Sequence, residues 1–224
     1  MAAIADFKTA DRSHTSFLAA AEKRTLIWMA ERLPIWLNSD HLTAVGFVTL
    51  LAVVGAYWYS KAHPLALLWV IVFLALNWFG DSLDGTLARV RNCQRPRYGF
   101  YIDHVLDAIG AVFLMTGLAL SGLMTPAVAY AFLVVYLLLS IETYLATYTI
   151  GVFQLSHWHF GPTELRILLV IGNLFALRDP YALLGSYRFL LFDAGFLIGT
   201  IALTLITIQT TVRHTLALYR SETK

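Results

Sequence analysis

The sequence predicts an all-α polytopic membrane protein, with six transmembrane helices and an N-terminal interfacial amphipathic helix. Hydrophobic residues make up 58% of the 224 residues and charged residues only 13%, against about 25% charged in soluble domains. The mean hydropathy is +0.67. Apolar stretches close to the length that crosses a hydrocarbon layer of about 30 Å recur along the chain. Their recurrence indicates several spans rather than one signal or anchor segment.

The predicted spans leave no room for a separate soluble domain. They cover residues 41–60, 64–91, 98–122, 125–149, 162–177 and 189–213. No internal repeat and no Pro-rich or Gly/Ser-rich linker divides the chain. We therefore predict a single membrane domain over residues 1–224, in which a cytoplasmic or interfacial segment, 1–37, precedes a six-helix bundle, 41–213.

The segment before the first span predicts a helix that lies in the membrane interface. One helical face carries an apolar stripe made of Phe17, Leu18, Ala21, Thr25, Trp28 and Met29. The charged residues Lys23, Arg24 and Glu31 lie off this stripe, which is the pattern of an interfacial helix. An ordinary cap helix in water is the alternative interpretation.

The positions of Lys and Arg predict the orientation in the membrane. If the N-terminus is cytoplasmic, only Lys61, Arg178 and Arg188 of the 16 basic residues fall outside. Both termini are then cytoplasmic, in the plasma (inner) membrane if the source is bacterial or archaeal. Because the basic residues sort by leaflet and the net charge is +2, we expect no nucleic-acid partner.

Four aspartates interrupt the apolar pattern towards the end of the second predicted span and at the start of the third. At 100° per residue, one face about 140° wide carries the first group: Asp81, Asp84, Gly85, Ala88 and Arg89. Gly99, Asp103, Asp107 and Gly110 share one face of the next helix. A short loop makes the two helices antiparallel neighbours, so the acidic faces are predicted to meet near the cytoplasmic surface.

Such a cluster requires positive charge, because one aspartate at the centre of a spanning helix costs about 2.5 to 3.5 kcal/mol. Arg89 can neutralise only one carboxylate. An all-carboxylate set suits Mg²⁺ or Mn²⁺ rather than Zn²⁺, which recruits Cys or His. Two such ions would stabilise charge on a transferring phosphoryl group. The pattern therefore predicts a phosphotransferase site in a membrane.

Two other interpretations of the aspartates stay open. The carboxylates could cap helices and pair at the membrane edge with Arg91, Arg95 and Arg97. Alternatively, the chain could be a cation-coupled transporter, in which intramembrane carboxylates bind ions near the midplane. The position of the cluster at one edge of the membrane argues against transport.

The spacing of these residues resembles the signature of the CDP-alcohol phosphotransferase (CDP-alcohol phosphatidyltransferase) family, membrane enzymes of phospholipid synthesis. The matching positions are Asp81, Asp84, Gly85, Ala88, Arg89, Gly99, Asp103 and Asp107. Eight residue types at fixed spacing are more specific than a lone Gly-rich loop. The resemblance extends to the six-helix arrangement and implies a homodimer.

The resemblance also implies a role for each residue. Asp81, Asp84, Asp103 and Asp107 would hold two divalent ions, and Asp107 would also be the catalytic base. Gly85 and Ala88 would let the cytidine nucleotide approach the helix beside Asp81 and Asp84. Arg89 would hold the diphosphate, since a guanidinium matches phosphate oxygens.

The resemblance is looser elsewhere. The stretch LNSDHLTAVG would place Thr43 near the nucleotide, but Ser39 and Asp40 stand where the family commonly has Pro and Asn. Asp40 is therefore a doubtful nucleotide contact, and Ser39 could be an N-cap.

Two glutamates and a histidine complete the candidates. Glu142 and Glu164 are predicted at cytoplasmic helix ends, where they are candidates to bind a polar acceptor. His104 could orient a metal-bound carboxylate or bond to the backbone instead. A loop with His157, Trp158 and His159 is predicted to be part of an aromatic interface belt.

Two schemes share this chemistry. In the first, CDP-diacylglycerol donates a phosphatidyl group to a water-soluble alcohol, and the chain length favours it. In the second, CDP-choline or CDP-ethanolamine reacts with diacylglycerol, and the segments around Glu142, Glu164 and His104 favour it. Both release CMP.

Overall fold

The computed structural model describes residues 11–13, 19–154 and 162–223. Helices dominate this part of the chain, so the predicted all-α class is confirmed. They are α1 (Ala19–Ala30), α2 (Ser39–Ser60), a 3-10 turn (Pro64–Ala66), α3 (Leu67–Val90), α4 (Pro96–Ser121), α5 (Pro126–Ile150), α6 (Pro162–Ala176) and α7 (Leu191–Glu222).

Five helical stretches in the described residues are long and apolar enough to cross a membrane. They are Ser39–Ser60, Pro64–Val90, Pro96–Ser121, Pro126–Ile150 and Leu191–Glu222. The chain is therefore an integral membrane protein with at least these candidate spans. Helix α6 has 15 residues, which is about 22 Å at 1.5 Å per residue. The sixth predicted span thus stays a prediction.

Local chemistry explains where the helices begin and end. Asn38 forms a capping box with His41: Asn38 Oδ1 accepts from His41 N at 3.0 Å, and His41 Nδ1 accepts from Asn38 N at 3.3 Å. The N-cap of the first span is therefore Asn38 and not Ser39. Helices α4 and α5 each start with proline in the first turn, where a missing N–H costs nothing.

Helix α7 departs most from the predicted bounds. It runs to Glu222, whereas the apolar pattern predicted an end at residue 213. The last helical turns are mostly exposed and carry Arg213 and Arg220 among their apolar residues, so the continuous apolar run stops before them. The helix therefore extends beyond the apolar span.

Four short strands were not predicted. Asp11–Ser13 (β1) pairs in parallel with Val152–Gln154 (β2). Tyr181–Leu184 (β3) and Tyr187–Leu190 (β4) form an antiparallel hairpin between α6 and α7. Gly185 has φ of 62° in its turn, a conformation that glycine tolerates. Residues 157–159, predicted to be an interface belt, lie outside the described residues.

Helix α1 packs on the bundle mainly through residues that the predicted stripe does not contain. Leu26 and Ala30 are buried against Leu42, Leu83 and Leu87 of α2 and α3. Of the stripe, Ala21, Thr25 and Trp28 are exposed, and Phe17 and Leu18 lie outside the described residues. Met29 of the stripe is half-buried and packs against this same cluster. The other described residues of the stripe face away from the bundle.

Glu22 connects three helices. Its Oε1 accepts hydrogen bonds from Trp78 Nε1 of α3 at 2.8 Å and from Thr163 Oγ1 of α6 at 2.8 Å. Ser82 Oγ of α3 lies 3.5 Å from the same oxygen. One carboxylate thus links α1 to α3 and to the start of α6.

We expect Glu22→Ala to lower the free energy of unfolding by about 1 to 3 kcal/mol, because half-buried donors on two helices lose their acceptor. Denaturant unfolding in detergent micelles measures this change. Glu31→Ala is the matched control, since Glu31 is exposed and its contact with Arg32 is 4.0 Å long. Equal losses in the two variants would contradict the role of Glu22.

Candidate active site

A cavity of about 140 Å³ lies among α2 to α6. Its polar lining consists of Thr43, Asn77, Asp81, Asp84, Asp103, Asp107, Tyr136 and Arg166. The remaining lining is mostly apolar and includes Leu50, Leu114, Met115, Phe132 and Leu133. The cavity therefore joins an acidic end, near the α3–α4 loop, to an apolar interior. The structure brings all four aspartates of the motif to this one cavity.

Asp84 is the most enclosed of the aspartates, with 7% of its surface exposed. Thr43 Oγ1 of α2 donates to Asp84 Oδ2 at 2.6 Å, and the Gly85 N–H donates to Asp84 Oδ1 at 2.5 Å. Ser39 Oγ donates to the Asp84 carbonyl at 2.9 Å. The first turns of α2 therefore fix the position of this carboxylate.

Asp81 makes an ion pair that the sequence analysis missed. Arg166 Nη2 of α6 lies 2.6 Å from Asp81 Oδ2, and Arg166 Nε donates to Asn77 Oδ1 at 3.1 Å. Asn77 in turn donates to the Gly46 carbonyl at 2.9 Å. The available signal was Asn77 itself, a polar residue in an apolar span and one turn before Asp81.

Asp103 and Asp107 reach the cavity from α4. Asp103 is half-buried, whereas Asp107 is exposed. In the part of the chain that the structure describes, no donor hydrogen-bonds to the Asp107 carboxylate. Asp107 is therefore accessible to a molecule that enters the cavity.

Gly85, Ala88 and Arg89 do not line the cavity but lie beside it, on the same helix as Asp81 and Asp84. A Cβ atom added to Gly85 would come within 4 Å of only the Arg89 guanidinium, at 3.4 Å from Nη1. Arg89 Nη2 donates to Thr86 Oγ1 at 2.9 Å. The surface of α3 at Gly85 is thus open, with a guanidinium at its border.

The predicted acceptor residues also lie outside the cavity lining. Glu142 Oε1 of α5 is 2.5 Å from His214 Nδ1 of α7, a partner that the sequence did not suggest because the two residues are 72 positions apart. Glu164 lies in the first turn of α6, two residues before Arg166.

His104 hydrogen-bonds to the backbone, which is the second of the two interpretations that the sequence left open. Its Nδ1 lies 2.6 Å from the Phe100 carbonyl, one turn earlier in α4. Its ring stacks on Phe100 with centroids 4.2 Å apart. Nothing in this arrangement directs Nδ1 to Asp103.

The arginines of the α3–α4 loop bear on the interpretation of the aspartates as surface ion pairs. Arg91 donates to the carbonyls of Leu33, Pro34 and Leu37, which connects the end of α3 to the α1–α2 loop. Arg95 pairs with Asp40. Both arginines therefore bind elsewhere, and Asp40 faces this loop instead of the cavity.

The carboxylates that line the cavity are suitable ligands for hard divalent cations. Four carboxylates face one guanidinium among the lining residues, and carboxylate oxygens are the ligands that Mg²⁺ and Mn²⁺ prefer. Among the described residues, no three acidic, His or Cys side chains are already arranged to hold an ion. Asp81 and Asp84 instead engage Arg166 and Thr43, so metal binding would require these contacts to rearrange.

The fold and the cavity define a class: a polytopic helical membrane protein whose bundle encloses a carboxylate-lined cavity at one end. The chain matches the CDP-alcohol phosphatidyltransferase family over residues 36–212, and it belongs to that family. Members of this family are transferases of substituted phosphate groups.

Individual relatives match a shorter segment. Cholinephosphotransferase 1 of Xenopus laevis is 30% identical over 96 residues, which is 40% of this chain and 24% of that protein. Cholinephosphotransferase 1 of Gallus gallus is 33% identical over 98 residues, which is 40% of this chain and 28% of that protein. The matches thus span about a quarter of the length of these relatives.

Proposed function

We propose that the chain transfers a substituted phosphate, most simply a phosphatidyl group from CDP-diacylglycerol, to an alcohol and releases CMP. The observation that carries this proposal is the convergence of Asp81, Asp84, Asp103 and Asp107 on a cavity whose interior is apolar. An acidic end suits ion-assisted phosphate chemistry, and an apolar interior suits a lipid substrate.

In this proposal Asp81, Asp84, Asp103 and Asp107 hold two Mg²⁺ or Mn²⁺ ions. Bound ions would stabilise the negative charge of the diphosphate and of the departing CMP. Arg89 binds diphosphate oxygens, since its guanidinium borders the open surface at Gly85. Thr43, Gly85 and Ala88 complete the nucleotide site with Asp81 and Asp84.

Asp107 acts as the base. It takes the proton of the acceptor hydroxyl while the alcohol oxygen forms a bond to the β-phosphorus of the donor, and the bond between that phosphorus and the CMP oxygen breaks. The exposure of Asp107 and its lack of a hydrogen-bond donor among the described residues support this role. Glu142 and Glu164 are proposed to bind a polar acceptor near the same helix ends.

A second donor scheme has a specific observation in its favour. The matching relatives are named cholinephosphotransferases, which favours CDP-choline or CDP-ethanolamine with diacylglycerol. The site chemistry and the release of CMP are common to both.

We further propose the membrane arrangement. Helix α6 forms the sixth span, since Leu169 and Asn173 are buried in the bundle and Asn173 Nδ2 donates to Tyr57 Oη at 2.9 Å. Both termini are cytoplasmic by the distribution of Lys and Arg. The exposed stripe of α1 lies in the interface, residues 1–224 form one domain, and the chain is a homodimer.

One assay tests the reaction and the donor. Purified protein with Mg²⁺ is incubated with CDP-diacylglycerol plus inositol phosphate, glycerol phosphate, serine or inositol, and separately with CDP-choline or CDP-ethanolamine plus diacylglycerol. We expect CMP release that EDTA stops and Mg²⁺ or Mn²⁺ restores, with a phosphatidyl product identified by mass. A lipid product only in the second set would assign the other donor. Cation flux in proteoliposomes without CMP from any donor would support a transporter instead.

A further inference from the structure

Arg166 is the one cationic side chain in the described lining of the cavity. Its guanidinium contacts Asp81 Oδ2 at 2.6 Å. Asp81 is also one of the carboxylates that we propose as metal ligands. Two cations would therefore compete for the same carboxylate oxygens.

Residues of the neighbouring helices fix the position of the Arg166 side chain. Its Nε donates to Asn77 Oδ1 at 3.1 Å, and Asn77 Nδ2 is held by the Gly46 carbonyl at 2.9 Å. Asn77 has only 7% of its surface exposed. The Arg166 side chain is 17% exposed, against 39% for Asp81. Asn77 of α3 is thus held in place by Gly46, and its hydrogen bond to Arg166 orients the guanidinium towards Asp81.

The charges around the cavity explain why the ion pair between Arg166 and Asp81 is favourable. Asp81, Asp84, Asp103 and Asp107 lie around one small cavity, and four carboxylates without a nearby cation would repel one another in a low-dielectric bundle. Arg166 supplies one positive charge when no ion is bound. A divalent cation would supply two, and it would bind to the carboxylate that Arg166 holds.

We infer that Arg166 is an internal counter-ion, which holds Asp81 in the metal-free protein and releases it when a divalent cation binds. This inference rests on the proposed metal site of the same cavity. It makes Arg166 a residue that sets the affinity of the site for metal. Removing the guanidinium should therefore tighten metal binding and destabilise the metal-free protein.

The test measures Mn²⁺ binding to purified protein in nanodiscs, without any substrate, from the electron paramagnetic resonance signal of free Mn²⁺. We expect Arg166→Gln to bind Mn²⁺ about tenfold more tightly than the wild type, since one charge-assisted hydrogen bond no longer competes. Arg188→Gln is the matched control, because Arg188 pairs with the exposed Asp179 at 3.3 Å in the hairpin region between α6 and α7. Its Mn²⁺ affinity should equal that of the wild type.

Thermal unfolding supplies a second measurement. Arg166→Gln should unfold at a lower temperature than the wild type without metal, and this difference should shrink at saturating Mn²⁺, where the ion pair is already broken. Should Arg166→Gln fail to fold, Arg166→Lys replaces it. Lysine keeps the charge but lacks the two separate donors, Nε and Nη2, with which Arg166 contacts Asn77 and Asp81. The hold on Asp81 should therefore weaken, and the Mn²⁺ affinity of this variant should also rise.

The outcomes separate this inference from the proposed function. An Mn²⁺ affinity in the Arg166 variants that equals the wild-type value, or is weaker, overturns the counter-ion role while the metal site stands. If the wild-type protein binds no Mn²⁺ and EDTA does not reduce CMP release, the metal site and the counter-ion role both fail.

Discussion

Asp107→Asn is expected to reduce CMP release by about 10² to 10⁴-fold, which is the range for loss of a positioned base. The variant side chain keeps its size but can no longer take a proton from the acceptor, and it offers a weaker ligand to a cation. Asp107 is exposed in the cavity, and no donor among the described residues hydrogen-bonds to its carboxylate. The substitution therefore removes no described hydrogen bond. The measurement is the rate of CMP release at saturating donor and Mg²⁺, with membrane insertion and yield recorded for each variant.

The control for Asp107→Asn is Asp179→Asn. Asp179 is exposed and pairs with Arg188 next to the hairpin of β3 and β4, away from the acidic cavity. Its substitution should leave CMP release within about twofold of the wild type, as is usual for surface changes. The same large loss in both variants would show that removal of any carboxylate impairs the protein, and the role of Asp107 would then be unsupported.

The other three aspartates extend the test. Asp81→Asn, Asp84→Asn and Asp103→Asn should each reduce turnover by orders of magnitude, although Asp84→Asn also changes the contact with Thr43. Full activity in any two of the four variants would contradict a site of two metal ions.

The sequence predicted the acidic end of the cavity because the residues involved are close in the chain. A helical period places Asp81 and Asp84 on one face, and a short loop places Asp103 and Asp107 opposite them. The helix bounds of α2 to α6 also follow from apolar run length, proline and glycine. The end of α7 could not be predicted in this way, because its last turns mix polar with apolar residues and are mostly exposed.

The contacts between distant segments were not predictable from one sequence. Arg166 follows Asp81 by 85 positions and His214 follows Glu142 by 72, and no periodicity relates them. Nor does the hydropathy of α1 show which of its two faces packs on α3. These features depend on which helices become neighbours, and that is a property of the whole bundle.

Gly80→Ala is expected to have the largest effect on folding, because α2 and α3 touch through their backbones at this residue. A Cβ atom on Gly80 would lie 2.6 Å from Gly46 N and from the Leu42 carbonyl oxygen. Small residues at such crossings let membrane helices approach closely. Backbone atoms cannot rotate away, so the helices must separate, at a cost of about 1 to 3 kcal/mol for an overpacked contact. Separation would also displace Asp81, the next residue.

Gly55→Ala on α2 is the matched control, since a Cβ atom there meets nothing within 4 Å. Alanine is favoured over glycine inside a helix by about 1 kcal/mol, so this variant should be as stable as the wild type or more so. Thermal unfolding in detergent measures both variants, and CMP release reports the displacement of Asp81. A Gly80→Ala protein that unfolds at the wild-type temperature would show that α2 and α3 can separate at no cost. Asp81 would then not depend on the close contact at Gly46 for its position.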